Sequence, residues 1–81
     1  MNSLQKLLDF CSRLEAAHIY FALARCRDEA VMVRVDVPGE RWEVEFFADC
    51  RVEVEVFKSG SPGLGIEGEE SLTRLFVVHS D

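Results

Sequence analysis

The side chains with reactive chemistry are few. Cys11, Cys26 and Cys50 could supply thiolates, His18 and His79 a general base, and Glu43, Glu45, Glu53 and Glu55 a set of hard oxygen ligands. A thiol nucleophile needs an imidazole held beside it, and no local spacing in the chain brings a cysteine to a histidine. The cysteines are odd in number and form no CxxC pair, so they indicate neither a zinc site nor a disulfide framework and are read as reduced thiols. The histidines lie far apart, without HxxxH or HxH spacing. Four glutamates would attract calcium or magnesium only if the fold enclosed them, and an open face does not. GSPGLG, Gly60 to Gly65, lacks the GK[ST] ending of a phosphate-binding loop and a helix placed to receive phosphate. No enzymatic activity, cofactor or metal is expected.

The elements that must position these groups centre on Arg41 to Phe57, RWEVEFFADCRVEVEVF. Trp42, Val44 and Phe46 alternate with Glu43, Glu45 and Phe47, and Val52, Val54 and Val56 with Glu53, Glu55 and Phe57, the period of half-buried strands. Opposed residues must share a face. A two-residue turn would set Phe46 against Glu53, whereas the three-residue loop Ala48-Asp49-Cys50 pairs Phe46 with Val52, Val44 with Val54 and Trp42 with Val56. That loop ends in a left-handed residue, usually Gly, and here the position holds Cys50. Cys50 is therefore either a slightly strained turn residue or a thiol held at a tip. The same register opposes Glu43 to Glu55 and Glu45 to Glu53, like-charge pairs that need compensation.

Upstream, Asn2 with Gln5 resembles a capping box, Ser3 being the competing cap. Leu4, Leu7, Leu8, Cys11 and Leu14 then recur at helical spacing, predicting a helix from about Ser3 to Ala17, with Cys11 a small core residue and His18 at the helix end. A strand from Ile19 to Cys26, a turn at Asp28-Glu29 and a strand from Ala30 to Val37 follow. Val31, Val33, Val35 and Val37 share one face. A two-residue connection aligns Tyr20, Ala22, Ala24 and Cys26 with them and leaves Phe21, Leu23, Arg25 and Arg27 outside; the opposite phase, burying Phe21 and Leu23, is nearly as good. Pro38-Gly39 turns into the central hairpin through a loop of two or four residues. Arg25, Arg34 and Arg41 are the expected partners of the glutamate rows. Lys58 to Gly65 is rich in breakers and reads as a surface loop. Glu67 to Glu70 reads as the start of a last helix lined by Leu72, Leu75, Phe76 and His79.

The expected fold is α+β: one domain over residues 1–81, a four-stranded antiparallel meander of order 1-2-3-4, with N-terminal and C-terminal helices on the valine and tryptophan face. A net charge of −6 excludes non-specific binding to nucleic acid or an anionic membrane. The apolar runs are too short to span a bilayer and MNSLQKLLDF lacks the basic start and apolar core of a secretory signal, so a cytoplasmic location is expected.

The string PGERWEVEFFADCRVEVEVF, with RCRDEAVMVRV before it and IEGEESLTRLF after it, resembles a group of small bacterial proteins with a PGERWEVEFF-D-G-VEVE-F core and no established function. The resemblance implies the α-β-β-β-β-α fold and carries no active site. In that pattern Gly usually stands where this chain has Cys50, and Ser61 to Gly65 looks like an insertion.

The functional expectation is a non-enzymatic protein-protein interaction module. Its candidate interface is the outer sheet face, where Phe21, Leu23, Met32, Phe47 and Phe57 would lie among Arg34, Glu43, Glu45, Glu53 and Glu55. The partner would be a second copy, forming a homodimer, or a basic protein engaged by an adaptor or toxin-immunity protein with an acidic sheet face.

Overall fold

The computed structural model describes residues 2–58 and 64–79, and the side chains of all of these except 64–67, 69 and 79. Helix α1 (Ser3–Ala16) begins where Asn2 accepts the backbone N–H of Gln5 on its side-chain oxygen at 2.7 Å. It ends in a Schellman arrangement: Ile19 N–H donates to Leu14 O at 2.9 Å and His18 N–H to Glu15 O at 3.1 Å. His18 takes the left-handed conformation this requires, with φ of 59°, while Leu14 and Ile19 join the core on either side of it.

Four strands follow as successive hairpins: β1 (Phe21–Arg27), β2 (Ala30–Val37), β3 (Glu40–Phe47) and β4 (Val52–Lys58). Their order is 1-2-3-4 and every pairing is antiparallel. Between β2 and β3 the loop has two residues, with Gly39 at φ of 80° behind Pro38, as a type II turn requires. The β3–β4 register is the one the face-matching argument selects, with Phe46 opposite Val52, Val44 opposite Val54 and Trp42 opposite Val56. Cys50 N–H donates to Phe47 O and Phe47 N–H to Arg51 O, closing the loop, and Cys50 lies at φ of 72°.

Beyond this meander, a short strand β5 (Leu64–Glu67) pairs antiparallel with β4 and makes the sheet five-stranded. The sequence predicts a loop to Gly65 and a last helix that opens at Glu67. The free edge of β4 instead recruits Leu64 to Glu67, satisfying backbone groups that a loop would leave to water. Residues 59–63, the rest of that expected loop, lie outside the described residues. Glu69–Ser71 is a 3₁₀ turn, and helix α2 runs over Leu72–His79.

The phase of β1 is a second correction. Arg27 pairs with Ala30 as a two-residue turn demands, but Ala24 pairs with Met32 and Leu23 with Val33. An extra residue at Arg25–Cys26 forms a β-bulge and shifts everything before it by one position. Phe21 and Leu23 therefore share the valine face, and Ala22 and Ala24 turn outward.

Both helices pack on that face. Phe10 and Leu14 of α1 and Leu72 and Leu75 of α2 lie on Val33, Val35, Trp42, Val44, Phe46, Val54 and Val56, a single apolar cluster in which Trp42, Val44, Val54 and Leu75 are fully buried. Phe10 bridges the layers, its ring 5.5 Å from Phe46 and 5.8 Å, edge-on, from Phe76.

Candidate protein-interaction surface

The reactive groups do not converge. Cys11 is half-buried against the core, and burial first, the Glu15 carboxylate second, pushes its thiol above the ordinary value, which keeps it protonated at neutral pH. Cys26 and Cys50 are exposed at the β1 bulge and the β3–β4 loop. Ser3 Oγ donates to Ala48 O at 2.9 Å and lies 3.3 Å from Cys50 Sγ, and Lys6 Nζ donates to Cys50 O at 3.2 Å, so the loop serves to anchor the first turn of α1. Among the described residues no three His, Cys, Asp or Glu side chains gather as metal ligands, and no helix is long and apolar enough to cross a membrane.

On the outer face the glutamates are opposed as their register requires, Glu43 to Glu55 and Glu45 to Glu53. Arginines lie between them. Arg41 Nε is 3.4 Å and Arg34 Nε 4.0 Å from Glu43, Arg27 Nε is 3.4 Å from Glu45, and Arg51 Nε is 3.6 Å from Glu53. Arg34 and Arg41 are the partners foreseen. Arg27 and Arg51 were not, and Arg25 donates instead to the Asp28 carbonyl at 3.0 Å. These pairs have exposed arginines, so each contributes at most about 1 kcal/mol. Glu45 differs because it is only 6% exposed: its Oε2 is sealed from solvent without a hydrogen bond, and Arg27 is the charge that faces it.

The same arginines roof the aromatics. Arg27 and Arg51 sit over the Phe47 ring at 5.5 and 4.1 Å, leaving that residue 2% exposed, and Arg41 sits 4.7 Å over Phe57. Of the apolar residues expected here, Phe47 is buried, Met32 and Phe57 are half-buried, and Phe21 and Leu23 are on the other side of the sheet because of the bulge. The outer face is a mixed-charge lattice lying over its own rings, with little free apolar surface.

Free apolar surface lies on α2, where Val77 and Val78 are exposed, and at the β1 edge, on the helix side. Leu4 and Leu8, one turn apart on α1, are 62% and 51% exposed, and Leu23 on β1 is 58% exposed. The α1 spacing explains this: Leu7, Phe10, Leu14 and Ala17 centre on the sheet, and Leu4, Leu8 and Cys11 form a flank about a quarter-turn away. On the opposite flank Arg13 lies 4.1 Å over the Phe76 ring and Lys6 reaches Cys50, so the leucine flank faces β1. An open groove of about 370 Å³ lies beneath the first turns of α1, with Leu4 and Leu7 on one side and Arg25, the Asp28-Glu29 turn and Val31 on the other. The width of the apolar stripe was the sequence signal for this surface, since Leu4, Leu8 and Leu14 cannot all face one sheet. A second open cleft, of about 430 Å³, lies at the far end over Trp42, where Arg74 is 5.1 Å from the indole and the indole N–H donates to Glu40 Oε1 at 3.0 Å.

Comparison of the chain with protein-family models, with curated proteins and with solved structures gives no match, so the functional reading rests on this surface alone.

Proposed function

We propose that the chain is a non-enzymatic protein-interaction module that binds through the flank formed by α1 and β1. The observation carrying this reading is the exposure of Leu4 and Leu8 on α1 and of Leu23 on the helix side of β1, with Leu4 at the wall of an open groove. A small domain has little apolar surface to spare, and a contiguous exposed strip of it is the usual mark of a contact site. The pairing of the outer carboxylates with arginines supports this flank over the acidic sheet face as the contact surface, because a face neutralised from within has less field to offer a basic partner. The test is capture from a cell lysate with the native chain and with a Leu4→Glu, Leu8→Glu double variant as baits. These side chains are exposed, so the variant keeps its fold, checked by circular dichroism. Proteins retained by the native chain and lost by the variant are the expected outcome, and identical retention by both would overturn the reading.

A further inference from the structure

The strand that borders this flank has an unpaired edge, and its backbone parity specifies what can pair with it. Asp36 N–H donates to Tyr20 O, so Tyr20 and Asp36 are a hydrogen-bonded pair, and pairs alternate along an antiparallel ladder. The N–H and C=O groups of Phe21 and Leu23 accordingly point away from β2. Edge strands are normally blunted by charge, proline or a bulge. In β1 the bulge and the two arginines, Arg25 and Arg27, guard only the second half, and Phe21 to Ala24 carry no such device.

Resting on the interaction reading above, we infer that the partner is a second copy of this chain, docked by antiparallel pairing of β1 with β1 about a two-fold axis at Ala22. Three symmetric registers use the outward groups. Centring on Phe21 or on Leu23 leaves one outward residue opposite the chain before the strand or opposite the bulge. Centring on Ala22 pairs Phe21 with Leu23 twice, makes four hydrogen bonds without touching the bulge, and sets apolar against apolar on the helix side. Charge agrees with this register. Arg25, on the groove side, falls opposite Ile19 of the other copy, beside the carboxyl end of its α1 with the exposed Glu15, and the contact is made twice. Leu8 and Leu23 of the two copies then close over a shared strip beneath the paired helices.

The test combines sedimentation velocity with site-directed cross-linking. In a Cys26→Ser, Cys50→Ser background, Ala22→Cys is expected to form an intermolecular disulfide on mild oxidation, because residues at the axis of a non-hydrogen-bonded pair approach within disulfide range. Ala24→Cys is expected to stay unlinked, its symmetry mates lying about four residues, roughly 14 Å, apart along the strands. The native chain should sediment as a dimer, and Leu23→Lys, at an exposed position, as a folded monomer. A dimer linked through residue 24, or one indifferent to Leu23→Lys, would overturn the assigned edge. A native chain that is monomeric at every concentration would overturn the self-association. If that monomer still loses a lysate protein when Leu4 and Leu8 are charged, the interaction reading survives the dimer; if it loses none, both fall.

Discussion

At single positions, the strongest consequence of the backbone is at Cys50. Pairing parity alone placed a left-handed residue there, because only a three-residue loop keeps Phe46 opposite Val52, and the observed φ of 72° meets that requirement. A side chain with a Cβ costs roughly 1 kcal/mol in this conformation, part of which Gly returns as greater freedom in the unfolded chain. Cys50→Gly is therefore expected to raise unfolding stability by about 0.5 to 1 kcal/mol in a denaturant titration, even though it gives up the weak Ser3 to Cys50 contact. A fall in stability would mean the thiol holds α1 to the loop. The equivalent conformation at His18 was not legible, since a helix end can be inferred from spacing but the choice among capping motifs depends on where Ile19 must go. The arginine roofs over Phe47 were equally hidden. Alternation places Phe47 among charged residues on the outer face, and only three-dimensional stacking from two different strand ends, Arg27 and Arg51, removes it from water.

Among the elements, the central hairpin, the β2 strand and the caps of α1 were readable because each carries an alternating or helical period with a turn or cap residue at its end. The β1 phase was not, because Phe21 to Ala24 are apolar in either phase and the bulge leaves no glycine to mark it. Burial decides the matter. Turning Phe21 inward puts a large ring against Val35 and the core, whereas Ala22 would offer a methyl, and burial of a whole Phe or Leu side chain is worth about 1.5 to 3 kcal/mol. β5 was missed for a related reason, as LGIE is too short to show a period and follows five residues of breakers. The bulge makes a sharp prediction. Deleting Cys26 removes the extra residue without changing the phase: Arg27 still pairs with Ala30, Arg25 alone opposes Val31, and Phe21 stays opposite Val35 in a regular ladder. Phe21, half-buried in the native fold, keeps that burial, and Cys26 is exposed, so the change in urea unfolding should stay within about 0.5 kcal/mol. A loss of about 1 to 2 kcal/mol, the worth of the half-buried ring, would show that the deletion slips the strand and turns Phe21 outward.

At the scale of the whole molecule, the two helices and the sheet meet in one cluster, and neither helix has a core of its own. α1 has fourteen residues and α2 eight, lengths that are marginal or unstable alone in water, so both depend on the wall built by Trp42, Val44 and Val54. Such a chain should unfold as a unit. Trp42 is the natural reporter, being fully buried, the only tryptophan, and seated where Arg74 of α2 covers its ring. Its fluorescence and the far-ultraviolet helix signal are expected to follow one transition in denaturant. A domain of 81 residues has a total stability of about 4 to 12 kcal/mol, and removing a buried Trp costs about 3 to 5 kcal/mol. Trp42→Ala should therefore take away about a quarter or more of the stability and melt helix and sheet together. Trp42→Phe keeps most of the apolar contact and loses the hydrogen bond to Glu40, which places its cost nearer 1 kcal/mol beyond the lost volume. If helix signal in either variant were lost well before the sheet, α2 would be an independently unfolding unit and the single-core account would fail. The β1 edge and the leucine flank lie outside this wall, so changes there leave the core of each copy intact and move the unfolding midpoint only by the concentration-dependent share that association contributes.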